Sequence, residues 1–413
     1  MATRVVVTGI GLVTSVGNDA ASSWAALCAG TPGIRRIEGF DLTGQEVTFA
    51  GEVRDFDVSR YMDRKEQRRN DKVTHFAVAA AMEALEQSGL DVRAHSDDVG
   101  VIIGSGVGGL ATEHEQFRVL FEKGPDRISP FFITQDIPDS ASGVVSIMTG
   151  AGGPNFCTVS ACATGANAIG ESFETIRRGD AKAMIAGGTE HPITPIGIAA
   201  FNNMHALSRY PGDPAEASRP FDATRDGFVM GEGAGIVILE DLEFAQARGA
   251  TILGELVGYG ATADAYHITE PAPGGTGLQR AMRRALEKAG AKLTDVEYIN
   301  AHGTATPFND RTETAAIKAL FGDHAYKLAL SSTKSMLGHS LGAAGGIEAI
   351  VTVLALRDGI LPPTINLHHP DPECDLDYVP NEARKAHITL ALSNSMGFGG
   401  HNACLAFRKW EQQ

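Results

Sequence analysis

The sequence has little cysteine, no apolar run long enough to cross a membrane, and a shortage of positive charge. Its five cysteines, Cys28, Cys157, Cys162, Cys374 and Cys404, include no C-x-x-C pair, which excludes a disulfide framework and a zinc knuckle and points to a reducing cytosol. No apolar stretch approaches the roughly 18 residues of a membrane helix. The start of the chain, Met1-Ala2-Thr3-Arg4 followed by Val5-Val6-Val7-Thr8-Gly9, lacks the apolar segment of a secretory signal and reads as a strand entering a glycine turn. A soluble, unprocessed, cytoplasmic protein is expected. Lysine and arginine number 35 against 50 acidic residues, a formal balance of −15. That excludes whole-surface attraction to nucleic acid or to anionic lipid, and leaves an acidic partner only a local basic patch.

What is present is a chain of 413 residues, 43% hydrophobic, with 48 glycines. It is long enough for a large core, and the glycines follow no G-x-y period, so collagen and disorder are excluded. Short β-rich runs (5–8, 99–103, 183–186, 236–239, 298–300, 328–331, 404–407) alternate with alanine-rich helical stretches, the pattern of α/β layers with buried strands. The pattern repeats. Ala84-Leu85-Glu86-Gln87-Ser88-Gly89 is echoed by Ala285-Leu286-Glu287-Lys288-Ala289-Gly290, and Asp98-Val99, Ile102 and Gly106 fall in step with Asp295-Val296, Ile299 and Gly303. Helices ending at Gly179 and Gly359 complete the parallel. Two similar halves are expected, 1–250 and 251–413, with Gly342 opposite Cys162, so that one half alone carries a cysteine there.

Several clusters could carry chemistry. Gly104-Ser105-Gly106-Val107-Gly108-Gly109 follows a strand and satisfies G-x-G-x-x-G, but no second strand ending in an acidic residue follows at the required distance, so close packing or a pocket loop is the better use of it. Cys162 stands where a β-type run meets a helix, a setting in which helix-terminal N–H groups lower a thiol pKa; a packing role fits a cysteine there as well. Cys157, within the run, reads as core. His302 and His339 stand in glycine-rich turns after short strands, either as site residues or as structural histidines. Zinc does not fit, since there is no H-E-x-x-H and no cysteine near either histidine. Phe398 lies among Gly397, Gly399 and Gly400, a packed hairpin turn or a movable aromatic. Lys65, Arg68, Arg69 and Lys72 have the spacing of one helix face, solvated or poised for an acidic partner.

Taken together and in order, Ser160-Ala161-Cys162-Ala163-Thr164-Gly165, Asn300-Ala301-His302-Gly303-Thr304-Ala305-Thr306, Lys334-Ser335-Met336-Leu337-Gly338-His339 and Asn394-Ser395-Met396-Gly397-Phe398-Gly399-Gly400 resemble the β-ketoacyl-acyl carrier protein synthases of the thiolase superfamily. Arg219-Pro220-Phe221-Asp222 and Arg225-Asp226-Gly227-Phe228 extend the likeness over nearly the whole chain. The Cys-His-His set is similar to the elongating enzymes, nearest to type II. The resemblance implies an α/β thiolase fold of two halves in five layers, α-β-α-β-α, a homodimer, and no cofactor of its own, because phosphopantetheine arrives on the acyl carrier protein. It implies Cys162 as nucleophile, the N–H groups of Cys162 and Phe398 as oxyanion hole, His302 and His339 as donors to the enolate left by decarboxylation, and Lys334 as electrostatic support. It also implies that Thr304 and Thr306 hold the pantetheine arm, that Phe398 gates two pockets, and that Val107, Phe201 and Phe228 shape the acyl channel. The resemblance further implies that Asp310 and Glu313 form a supporting acidic pair and that Lys65, Arg68 and Arg69 dock the carrier protein. His205, where arginine is usual, and Met396, where phenylalanine is common, are departures. A type II polyketide ketosynthase and a non-catalytic chain-length-factor-like partner are the alternatives; retention of Cys162 argues against the second.

Overall fold

The computed structural model describes residues 3–411. Ten strands make up its main sheet: β1 (Val5–Val13), β2 (Val99–Gly104), β3 (Asn155–Phe156), β4 (Ala183–Glu190), β5 (Gly233–Asp241), β6 (Gly254–Ala263), β7 (Tyr298–Asn300), β8 (Ala329–Ser331), β9 (Leu390–Gly397) and β10 (His401–Arg408). Their order is β8-β7-β9-β10-β6-β1-β5-β4-β2-β3. Read outward from the β1/β6 junction, β1-β5-β4-β2-β3 and β6-β10-β9-β7-β8 are the same path, antiparallel over the first two steps and parallel over the last two. The junction itself is short, Val5, Val6 and Val7 pairing with Leu256, Glu255 and Gly254.

Helices α1 (Arg64–Arg69), α2 (Lys72–Ser88), α3 (Ser140–Thr149), α4 (Thr164–Arg178), α5 (Thr276–Ala289), α6 (Pro307–Phe321) and α7 (Ala344–Asp358) complete the layers. α2 and α3 cover the outer face of the first half and α5 that of the second, with α6 against α5, while α4 and α7 lie between the two halves. α7 is buried from Ala344 to Leu356 and is apolar on every side but for Glu348 and Thr352, the composition of a helix enclosed by protein. The result is the five-layer arrangement.

The glycine excess has a packing cause. Side chains at Gly9 and Gly11 would strike the carbonyls of Ala84 and Ala80 on α2, and side chains at Gly258 and Gly260 would strike those of Ala285 and Ala281 on α5. Both halves thus press an alanine face onto a glycine strand. Following the strand pairings outward from these glycines sets Ile238 and Ile185 against Ala406 and Leu392, hence Glu190 against Gly397. The same path sets Val101, not Ile102, against Ile299, because each pair must face the same layer. Before each central helix stands a matching turn, Ala161–Ala163 and Leu341–Ala343, whose first residues have φ of +50° and +45°. Cys162 and Gly342 are the middle residues of these turns.

Three further local expectations fail. β1 runs through Gly9 to Val13 rather than turning at the glycine. The basic face does not run on one helix: α1 stops at Arg69, Asn70 is extended, Asp71 caps α2, and Lys72 pairs with Glu232 at 3.1 Å. Only Asn155 and Phe156 of the run before Cys162 pair as a strand, and Cys157 is half-buried beyond it rather than core.

Candidate active site

A cavity of about 390 Å³ opens where the two halves meet, and it brings together Cys162, His302, His339 and Phe398, with Phe201, Phe228, Thr304 and Thr306 on its walls. Cys162, His302, His339 and Phe398 come from four different turns, each at the end of a strand or ahead of a helix, where backbone is free to turn toward a ligand.

Cys162 is held by its turn. Ser160 N–H donates to Thr164 Oγ1 at 2.8 Å and Ala163 N–H to the Ser160 carbonyl at 3.1 Å. Across from it β9 ends at Gly397, where a Cβ would stand 3.0 Å from Cys162 N, 3.1 Å from Ala163 N and 2.7 Å from the Ser160 oxygen. Glycine keeps that space open. The next residue, Phe398, brings its backbone N–H to the Cys162 side, where it acts to lower the thiol pKa, so the N–H groups of Cys162 and Phe398 flank one reacting centre, the arrangement of an oxyanion hole. Burial pushes the Cys162 thiol up to about 12, outweighing the Lys334 charge and the Phe398 N–H, which act downward. The expectation of a lowered pKa is overturned: desolvation of the thiolate wins over helix-terminal stabilisation.

His302 follows β7 and is fixed through its backbone. Glu313 Oε1 accepts the His302 N–H and Oε2 the Gly303 N–H, both at 2.9 Å, and Asn394 Nδ2 donates to Oε1 at 3.2 Å. His339 donates its backbone N–H to the Val229 carbonyl at 2.7 Å. The two imidazoles stand 5.3 Å apart and nearly perpendicular, and Phe228 packs on His339 at 5.3 Å with Phe201 behind it at 5.5 Å. His302 Nδ1 and both ring nitrogens of His339 have no hydrogen-bond partner among the described residues. Burial first, then the Lys334 charge, holds both pKa values well below the ordinary histidine range. Both rings are neutral at physiological pH, and each has one N–H to offer.

Lys334 lies behind the histidines, buried and paired with Glu348 of α7. Burial raises Glu348 to about 7 in spite of the lysine. Asp310, also buried, accepts the Phe221 N–H at 2.8 Å and faces Arg225 at 3.5 Å. Arg225 in turn donates to the carbonyls of Thr306 and Pro307, fixing the segment that carries Thr304 and Thr306, whose hydroxyls are 3.0 Å apart. Val107 is not in the cavity wall; it is 37% exposed on the loop after β2. Lys65 and Arg68 are exposed on α1 outside the cavity, and Arg69 is bound to Glu66 and stacked over Phe131 at 5.0 Å. His205, left-handed at φ +55°, and Met396 both line the cavity. Glu190, Glu348, Arg225, Gly397 and Leu341 were given no role in the sequence, since a buried carboxylate or a missing side chain acquires meaning only from what folds against it.

Two family models divide this chain between them: the beta-ketoacyl synthase N-terminal domain matches residues 2–245 and the C-terminal domain residues 253–368. The chain belongs to the beta-ketoacyl synthase family. The synthase is 55% identical over 99% of its length to a 3-oxoacyl-[acyl-carrier-protein] synthase 2 of Synechocystis, covering 98% of that protein. It is 54% identical, over 99% of both chains, to one of Staphylococcus aureus. Among solved structures, a beta-ketoacyl synthase from Burkholderia phymatum superposes with a TM-score of 0.92 at 36% identity, over 99% of this chain and all of that one. A type II PKS ketosynthase bound to its acyl-carrier protein and a hexaketide also superposes with a TM-score of 0.92, at 34% identity over 99% of this chain and all of that one.

Proposed function

We propose that the synthase extends fatty acyl chains by two carbons, taking both substrates from acyl carrier protein, as a 3-oxoacyl-[acyl-carrier-protein] synthase of type II. The observation that carries this is the convergence of one cysteine, two backbone donors and two neutral histidines in one cavity. Acyl transfer begins as the Cys162 sulfur attacks the incoming thioester carbonyl. Its proton passes to the departing pantetheine sulfur, which suits a thiol that is protonated at rest. The tetrahedral oxyanion lies between the N–H groups of Cys162 and Phe398. Malonyl thioester then enters past Thr304 and Thr306 and loses carbon dioxide. The electron pair of the broken C–C bond moves to the thioester oxygen, which accepts hydrogen bonds from the N–H groups of His302 and His339. The enolate carbon attacks acyl-Cys162, and collapse of the intermediate frees the Cys162 sulfur as thiolate, which takes a proton from solvent water.

The carrier protein, an acidic partner, docks on Lys65, Arg68 and Arg69, and the synthase works in the cytoplasm with no cofactor or metal of its own. Among the described residues no helix is long and apolar enough to cross a membrane. A homodimer is supported by β3, an edge strand with one side unpaired among the described residues, which carries exposed Phe156 and is followed by exposed Val159. A polyketide ketosynthase is the second reading, favoured by the superposition on that class at 34% identity; identity of 54–55% to the fatty-acid enzymes outweighs it. The test is product mass after incubation with acyl carrier proteins of graded length and malonyl-carrier protein. A 3-oxoacyl product two carbons longer than a fatty primer supports the reading, and extension confined to polyketide intermediates overturns it.

A further inference from the structure

Glu190 closes β4 with its side chain turned into the central layer, fully buried. Its Oε1 accepts from Ser105 Oγ at 2.7 Å and Val107 N–H at 3.2 Å, and its Oε2 from the N–H groups of Gly106 and Gly342, both at 2.8 Å. Burial pushes the Glu190 carboxyl up and its four donors act downward; with both oxygens already accepting from two donors each, the site has no place for a carboxyl proton and suits the ionised form. The backbone donors of the glycine-rich loop, which in a nucleotide site would face a phosphate, are thus taken by the protein's own anion.

The strand pairings set Glu190 opposite Gly397, and the turn it grips, Leu341–Ala343, opposite the turn that carries Cys162. In one half of the molecule a carboxylate permanently occupies the space before the turn. In the other, glycine leaves the space empty for an oxyanion that exists only during reaction. Gly342 lies three residues after His339, whose imidazole makes no hydrogen bond among the described residues. That ring is aimed by packing and by its backbone, which is tied at His339 itself by the Val229 carbonyl and the Gly231 N–H, and at Gly342 by Glu190. Between the ties stands Leu341, left-handed at φ +45°, a conformation that relaxes if the neighbouring hydrogen bond is lost.

We propose that Glu190 is a positioning residue for decarboxylation: by holding Gly342 N–H it keeps His339 aimed at the enolate oxygen. The proposal rests on the role given to His339 above. Glu190→Gln keeps the shape but turns an NH₂ toward two of the four donors. Carbon dioxide release from malonyl-carrier protein then falls roughly 100-fold, the order expected of a misplacement near 1 Å. Loading of Cys162, followed by intact mass, stays within about threefold. Glu190→Gly empties the site, and added formate, a carboxylate of the right size, recovers decarboxylation about tenfold. Equal losses in both steps, no loss in either, or no response to formate overturns the proposal. Should Glu190→Gln fail to fold, Gly342→Ala, whose Cβ presses on Glu190 Oε2, must show the same split, and equal losses there overturn it as well. A wild-type protein that neither loads nor decarboxylates refutes the functional reading instead, so the two failures are distinct.

Discussion

Gly397→Ala adds one methyl group at the centre of the site. Its Cβ would sit 3.0 Å from Cys162 N and 2.7 Å from the Ser160 oxygen, backbone atoms of a turn already strained at Ala161. An oxyanion must lie about 2.7–3.1 Å from its donors, so a methyl this close to Cys162 N crowds the approach of the oxygen to the Cys162 N–H. Losing one such donor costs roughly 100- to 1,000-fold in acyl transfer, and crowding the turn costs about 1–3 kcal/mol of stability. Loading of Cys162 from acyl-carrier protein, timed by intact mass, should fall by that factor. Carbon dioxide release, which draws on His302 and His339, should fall less. A folded Gly397→Ala protein that loads within about threefold of wild type would show that this space is not the oxyanion hole.

With the thiol raised to about 12, Cys162 is protonated throughout the neutral range, and its alkylation by iodoacetamide should climb steadily with pH from 7 to 10; a plateau below pH 9 contradicts the burial argument. Lys334→Met leaves Glu348 buried without its partner and should lower stability by about 3 kcal/mol, read as a lowered Tm, with much of it regained in Lys334→Met/Glu348→Leu. Lys65→Glu with Arg68→Glu should raise KM for acyl-carrier protein roughly tenfold while leaving kcat nearly unchanged, and the effect should shrink as salt is added; a KM insensitive to the charge reversal places docking elsewhere. Phe156→Glu with Val159→Glu should shift the sedimentation coefficient to that of a monomer if β3 forms the dimer edge.

The strands of the sheet were legible where valine and isoleucine crowd together, as at 5–8 and 236–239. They were not at β6 and β9, where glycine, alanine and serine carry no β signal and take their conformation from neighbouring strands. The reactive residues were legible because cysteine and histidine stand out in glycine-rich turns. The direction of the Cys162 pKa was not, since helix-end stabilisation is local but burial is set by the closing of the second half. Nor was the break at Asn70: four basic residues at helical spacing say nothing of Asp71 capping a new helix. Glu190 escaped notice because its four donors come from positions 105, 106, 107 and 342, which only the folded sheet brings together.

The proposed cycle depends on Cys162 as the carrier of the growing chain. Intact-mass and peptide analysis after incubation with a fatty acyl-carrier protein tests it most directly. One acyl group per chain is expected on the Cys162 peptide, released when malonyl-carrier protein is added and absent in Cys162→Ala. An acyl group found elsewhere, or undiminished in Cys162→Ala, would contradict it.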